Sequence, residues 1–405
     1  MNRAPGRLWG AAGLVLFSTA CAAPGESPGE REVQTLPAVE EVRVGSVDDE
    51  SQIMTWFRQM AVAPDGRMYT IHPTEQVMVM WAPDGTRLKT IGGRGDGPSE
   101  FQNIFRAGWV ADTLWVMDLN GHRFKQFNAD GDLLGTFAVP FVMGEDPMVR
   151  QPPRVDDMLF DGTVVGSPPA FSNQIASGLL THHVPMIMNR EGDVVDSLVP
   201  IPFGNNMWAI SDPEAPMRGG MYMPQPYADG PIWAYVPGER AMLILDREAP
   251  AEERGSYRLT KVDFNRDTLF SRTYAFTASP IPATEADSIL DATAERISGT
   301  RFMGGLPLGT ARAWAATGMY RPSHYPPVTH MVLSQSGEIW LRERPEGDDA
   351  PWLVLDREGE PRWRTTLPAG VTVLLADGDQ VWGTDRDELD VPYLVRYRVR
   401  RDGDG

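Results

Sequence analysis

The stretch PDGRMYTIHPTEQVMVMWAPDGTRLKTIGG, residues 64–93, contains the unit from which the fold is read. An Asp65-Gly66 turn leads into an aliphatic–aromatic pair, Met68-Tyr69. A second strand-like run, Val77–Trp81, follows, then the turn Pro83-Asp84-Gly85 and a third run, Arg87–Ile91. Glycine after an acidic residue supplies the positive φ that tight hairpins need. Outward from this stretch the aliphatic–aromatic pair recurs as Leu114-Trp115, Ile232-Trp233, Ile339-Trp340 and Val381-Trp382, and Val164-Val165 after Asp161-Gly162 marks a degenerate copy. The second turn recurs as Ala129-Asp130-Gly131, Arg190-Glu191-Gly192 and Arg357-Glu358-Gly359. Where no insertion intervenes, the spacing is one propeller blade of ~40–45 residues. Each copy reads as four antiparallel strands, a to d, and the chain carries six of them.

The two ends complete the count. The last copy offers three strands, Val371–Ala376, Gln380–Asp385 and Tyr393–Arg400, while Ala38–Val44 is an orphan strand ahead of the first copy. Pairing them closes a ring and removes exposed sheet edges. The expected fold is therefore all-β: a six-bladed β-propeller of four-stranded blades over residues 38–405, closed by the N-terminal strand, with loop and short-helix insertions on one face. The assignment of 240–260 stays open between a long b–c excursion and an extra hairpin.

Several motifs carry a family resemblance. Ile91-Gly-Gly-Arg-Gly-Asp-Gly-Pro-Ser-Glu-Phe101 resembles the glycine-rich segment of bacterial six-bladed propellers related to the NHL-repeat and TolB-like families. Asp118-Leu-Asn-Gly-His-Arg-Phe124 resembles the NHL step from strand b to strand c, and Asp385–Tyr393 resembles the closing blade of that group. The resemblance implies the fold; that architecture hosts binders, signalling modules, lyases and hydrolases alike.

Residues 1–20 differ in kind. Arg3 and Arg7 precede a short apolar run, Leu8–Phe17, and Ser18-Thr-Ala-Cys21 offers small residues at a cleavage point, as in an export signal. The segment resembles a bacterial lipoprotein signal, which implies lipidation of Cys21; cleavage at Ala20-Cys21-Ala22 is the alternative. Residues 21–37 read as a flexible tether. Cys21 is the only cysteine, so no internal disulfide or thiolate metal cluster can form. The expected setting is the bacterial cell envelope, facing periplasm or exterior, with the membrane met through the lipid alone. Without residues 1–20 the chain holds 35 basic against 55 acidic residues, a net of −20, which disfavours nucleic acid.

In a propeller the a–b and c–d turns share one face, and the b–c and d–a loops share the other. The Asp-Gly turns fall on the first. The long segments Pro140–Arg154, Ser167–His183, Phe203–Tyr227 and Thr277–His330 fall on the second, as expected of a recognition surface. Within the longest (about 280–326), Thr284–Ile297 reads as a helix with Thr284 and Asp287 at its start and Ala286, Ile289, Leu290, Thr293 and Ile297 on one face. Arg301–Tyr325 is either a lid or packed padding.

Three residues past each aliphatic–aromatic pair, strand b should reach that second face. The position holds His72, Asp118, Pro168, Val236, Glu343 and Asp385. A ring containing Asp118, Glu343 and Asp385 could hold calcium through oxygen ligands, whereas aspartates there also cap loops by accepting backbone N–H bonds. His122, His324, His330, Arg342, Arg344 and Arg386 are further ligand-face candidates, the arginines suiting an anion. His182 and His183 are adjacent and their side chains diverge. No G-x-S-x-G elbow, H-E-x-x-H helix or GK[ST] phosphate loop occurs. The leading expectation is a non-catalytic, cofactor-free module binding a ligand or envelope protein; the alternative is a calcium-dependent hydrolase or lactonase.

Overall fold

The computed structural model describes residues 33–46, 52–54, 56–121, 123–138, 154–159, 161–167, 174–175, 178–189, 193–212, 214, 220–299, 305–344 and 347–400. The signal segment, Cys21, His122 and Pro168 lie outside them. Six four-stranded antiparallel sheets form the ring. Blade 1 comprises Gln59–Val62, Met68–His72, Val77–Trp81 and Arg87–Gly92. Blade 2 comprises Ile104–Val110, Thr113–Asp118, Arg123–Phe127 and Leu133–Ala138. Blade 3 comprises Arg154–Met158, Val164–Ser167, Met186–Met188 and Val194–Ser197, and blade 4 Ile232–Tyr235, Ala241–Asp246, Arg254–Asp263 and Thr268–Thr277. Blade 5 comprises Val328–Leu333, Ile339–Glu343, Asp349–Leu355 and Pro361–Pro368. Blade 6 comprises Thr372–Asp377, Gln380–Arg386, Pro392–Val399 and the N-terminal Ala38–Val44.

The Asp-Gly turns work as their chemistry requires. Asp65 Oδ1 accepts the N–H of Arg67 at 3.1 Å and Asp84 Oδ1 that of Thr86 at 2.9 Å, with Gly66 at φ 84° and Gly85 at φ 90°. Burial then grades outward. In blade 1 every residue of Met68–His72 is buried, whereas the outer strand Arg87–Gly92 buries only Ile91. A strand covered on both faces needs a continuous apolar run rather than alternation, as Val77–Trp81 shows.

The core is accordingly divided among the seams between blades. Tyr69, Ile71 and Met80 of blade 1 meet Leu114, Val116 and Phe127 of blade 2. Trp340, Trp352 and Trp363 of blade 5 meet Val371, Val373 and Val395 of blade 6. Comparable clusters fill the seams 2–3, 3–4, 4–5 and 6–1.

Ring closure follows the expected pairing, antiparallel from Ala38↔Val399 to Val44↔Leu394. One more element contributes. Thr35–Leu36 runs parallel to the outer strand of blade 5, with Thr365 Oγ1 donating to the Leu36 carbonyl at 2.8 Å. Sequence alone groups residues 33–37 with the tether; Leu36 is instead only 4% exposed and part of the blade 5–6 core.

Blade 4 corrects a second expectation. Ile232-Trp233 lies on the innermost strand, and strand b is Ala241–Asp246, so 240–260 holds strand b, a loop and the start of strand c. The residue ending strand b is Asp246, not Val236.

Among the described residues, two d–a connections carry the large insertions; most of the long segment Pro140–Arg154 lies outside them. Between blades 3 and 4 the hairpin Met207–Ser211 with Gly220–Pro224 projects from the ring. Between blades 4 and 5 lie helix α1 (Ala283–Ser298) and helix α2 (Leu308–Gly318). α1 buries Ala286, Leu290, Thr293, Ala294 and Ile297; its N-cap is Pro282, without a side-chain cap, rather than Thr284. α2 occupies the segment expected as lid or padding. Both helices pack on the hairpin around Trp208, Ile210, Leu290, Ala311 and Ala315, and Trp208 Nε1 donates to the Ala315 carbonyl at 2.9 Å.

Truncation through Val44 removes the closing strand and strips cover from Val395 and Leu394. Loss of the single cooperative thermal transition is expected; an unchanged melting temperature (Tm) would exclude the latch role.

Candidate functional site

Strand b of each blade ends on the face that bears the insertions, and four of these ends carry a carboxylate. Each is met by a guanidinium from its own blade. Asp118 is fully buried: Oδ1 accepts the N–H groups of Gln102 at 3.1 Å and Asn103 at 2.8 Å, and Oδ2 takes Arg123 at 3.0 Å. It therefore caps the d–a connection entering blade 2. Asp246 pairs with Arg258 at 3.3 Å, Glu343 with Arg364, and Asp385 with Arg43 at 2.6 Å. Among the described residues no three His, Cys, Asp or Glu side chains converge as a ligand set, and Asp118, Glu343 and Asp385 do not assemble the calcium ring considered from sequence.

The remaining candidates separate. His72 is 3% exposed, with Nε2 2.8 Å from Thr70 Oγ1 and its ring against Phe57. Burial pushes its pKa down to about 4, opposed by Glu75. His324 sits beside Ser323 Oγ at 3.0 Å at the foot of the helical insertion. Arg344 lies over the ring of Tyr325, 3.3 Å from its centroid, and Arg386 pairs with Asp390 at 2.9 Å.

His330 and Arg342 do come together. They are cross-strand partners in blade 5, and Trp352 is the next partner along the row. Solvent reaches His330, yet the strands around it crowd the ring. That crowding and Arg342 lower its pKa, a hydrogen bond with the Val373 backbone raises it, and Arg247 lowers it again. Arg342 Nη2 donates to the Ala369 carbonyl at 2.7 Å, and its buried Nε has no acceptor.

A third group escaped sequence reading. In blade 3, Ser167 Oγ hydrogen-bonds Asp156 and lies 3.0 Å from His183 Nε2, and the His183 ring stacks on Trp233 at 4.6 Å. Asp156 and Ser167 are both buried. Arg106 donates to the Asp156 carbonyl oxygen. Neighbouring Asp157 is crowded by protein, which pushes its pKa up to about 6 against the pull of Arg106. The bulge between Val155 and Asp157 gives this strand its tandem acids; the Asp-Asp pair on an inner strand was the signal available.

No family model matches the chain, and no curated protein matches it in sequence. Solved structures match in shape at low identity. A Bacteroides fragilis protein described as exported shares 10% identity over 90% of this chain and 96% of its own, with a TM-score of 0.46. A member of the DUF4221 family from Bacteroides vulgatus shares 10% over 91% and 98%, at 0.42. Virginiamycin B lyase from Staphylococcus aureus shares 8% over 90% and 100%, at 0.41. At these scores the likenesses bear on neither ligand nor activity.

Two of the shifted groups, His72 and Asp157, tilt stability in opposite directions. His72 takes up a proton more readily unfolded, so its contribution is complete above pH 6.5 and lost as pH falls towards 4. Asp157 holds its proton more tightly when folded, so its contribution is complete below pH 3.8 and lost as pH rises through 6. Each is worth about 3 kcal/mol at most. His72→Gln should therefore flatten the acid limb of the Tm–pH curve, and Asp157→Asn should raise Tm at pH 7 relative to pH 4; denaturation across that range checks both.

Proposed function

We propose that this propeller is an exported, non-catalytic recognition module, tethered through lipidated Cys21 and related to the NHL group, whose insertion-bearing face binds a ligand or envelope protein. One observation carries the reading: two separate inter-blade insertions merge into one cap with its own apolar core on that face. Ordering so many residues costs conformational entropy that the ring itself does not require. On the opposite face the described residues make tight turns, with Gly66, Gly85, Gly131 and Gly359 at positive φ. Consistent with binding rather than ion-centred hydrolysis, the carboxylates ending strand b are engaged by arginines. No helix among the described residues is long and apolar enough to cross a membrane, so the proposed attachment rests on Cys21.

Photo-crosslinkers placed in cells at Ser323 and Leu389 sample the insertion face, and at Asp84 and Glu358 the turn face. A discrete adduct confined to the first pair is expected; equal or reversed labelling sinks the reading. Cys21→Ala should move the protein from the membrane to the soluble fraction, and unchanged fractionation would remove the anchor.

A further inference from the structure

We propose that the Arg342 guanidinium, with the His330 ring beside it, is a subsite for a carboxylate group of the recognised ligand, an inference that rests on the insertion face being the recognition surface. The chain has 55 acidic residues against 37 basic ones, and several strand-borne arginines at this face find them: Arg123 pairs with Asp118, Arg258 with Asp246, Arg364 with Glu343. Arg342 forms no ion pair with any described residue. Among the described residues its side chain makes one hydrogen bond, to the Ala369 carbonyl across the blade 5–6 seam, and Nε is buried without an acceptor.

Burial lowers the Arg342 pKa, the mark of a charge held partly away from water, and no described carboxylate pairs with it to offset that cost. Glu343, the adjacent residue, cannot supply one. Side chains alternate across a strand, and Glu343 turns to Arg364 while Arg342 shares a row with His330 and Trp352. Tying Ala369 in place is the structural role of Arg342, and it occupies one of five N–H donors.

The charge at the subsite selects the ligand class. Arg247, the nearby second guanidinium, is buried and spent on the carbonyls of Gly230 and Val328. His330 is held towards its neutral form. One open fork beside a neutral imidazole balances a single negative charge, which suits a carboxylate better than a phosphate dianion. The acidic exterior does not forbid this, because charges beyond ~10 Å are largely screened at physiological salt.

The test reads the His330 ring by NMR in the full chain, assigned with His330→Gln. At constant ionic strength, replacing chloride by acetate should raise the His330 pKa by about half a unit, because an anion beside the ring favours its charged form. Arg342→Gln should start from a higher His330 pKa and lose the response. If that variant does not fold, Arg342→Lys decides, and should keep the baseline while weakening the response. Persistence of the response in Arg342→Gln or an undiminished one in Arg342→Lys overturns the proposal; a response to phosphate alone overturns the ligand class. No acetate response alongside face-specific crosslinking removes the subsite only, whereas an acetate response without such crosslinking removes the recognition reading instead.

Discussion

Every blade is an apolar sheet that must be covered on both faces, and only another blade can cover it. Tyr69 and Ile71 point one way from their strand into blade 2, while Met68 points the other way into the seam with blade 6. Neither seam is a core by itself. Burial of this kind is roughly proportional to apolar area removed from water, so an uncovered terminal blade would leave one whole face unpaid for. The stable solution is a closed ring, and closure makes six seams interdependent. That is why Ala38–Val44 carries so much: it turns a three-stranded last blade into a complete one and seats Val42 and Val44 in the final seam.

Closure also explains the recurrent ion pairs. The end of strand b is the last buried position before the b–c loop, and a carboxylate there meets protein on one side and water on the other. A guanidinium from the same blade lets the charge remain without being stranded. In blade 2 the partner is the first residue of strand c, in blade 5 it comes from strand d, and in blade 6 from the N-terminal strand. The pairs use different strands but solve one problem, and they leave no free carboxylate at those positions to gather around the axis.

How much of this is legible in sequence depends on whether the determinant is local. Asp-Gly turns and unbroken apolar runs are local, and they specify blades, strand order and closure. The helix over Thr284–Ile297 is legible by its spacing; helix α2, with Gly309 and Gly318 at its ends and small residues between, is not. Blade 4 misleads because an aliphatic–aromatic pair occurs on the inner strand while strand b has Met242-Leu243 instead. The site is harder still. Asp385 and Arg43 are 342 positions apart, and nothing in either neighbourhood announces the pairing. Arg342 and Arg364 look alike as residues; only the fold gives one a carboxylate and the other a carbonyl. The blade 3 group depends on a bulge, which changes which side chains share a face without changing composition.

The same geometry decides where the molecule can be elaborated. An a–b or c–d turn joins neighbouring strands of one sheet, and lengthening it loosens the hairpin it closes. A d–a connection instead spans from the rim of one blade to the axis of the next, so it already crosses the face and can be extended there without altering strand register. Two such crossings bring the hairpin at 207–224 and helices α1 and α2 together. They fit because Gly318 has no side chain: a Cβ there would lie 2.0 Å from the Ala209 carbonyl oxygen. Gln225 then bridges them, donating to the Gly318 carbonyl at 2.7 Å and accepting from the Tyr320 N–H at 3.0 Å. The cap is therefore held to the ring through its two crossings and to itself through an apolar core, so its surface can vary while the blades beneath it stay in register.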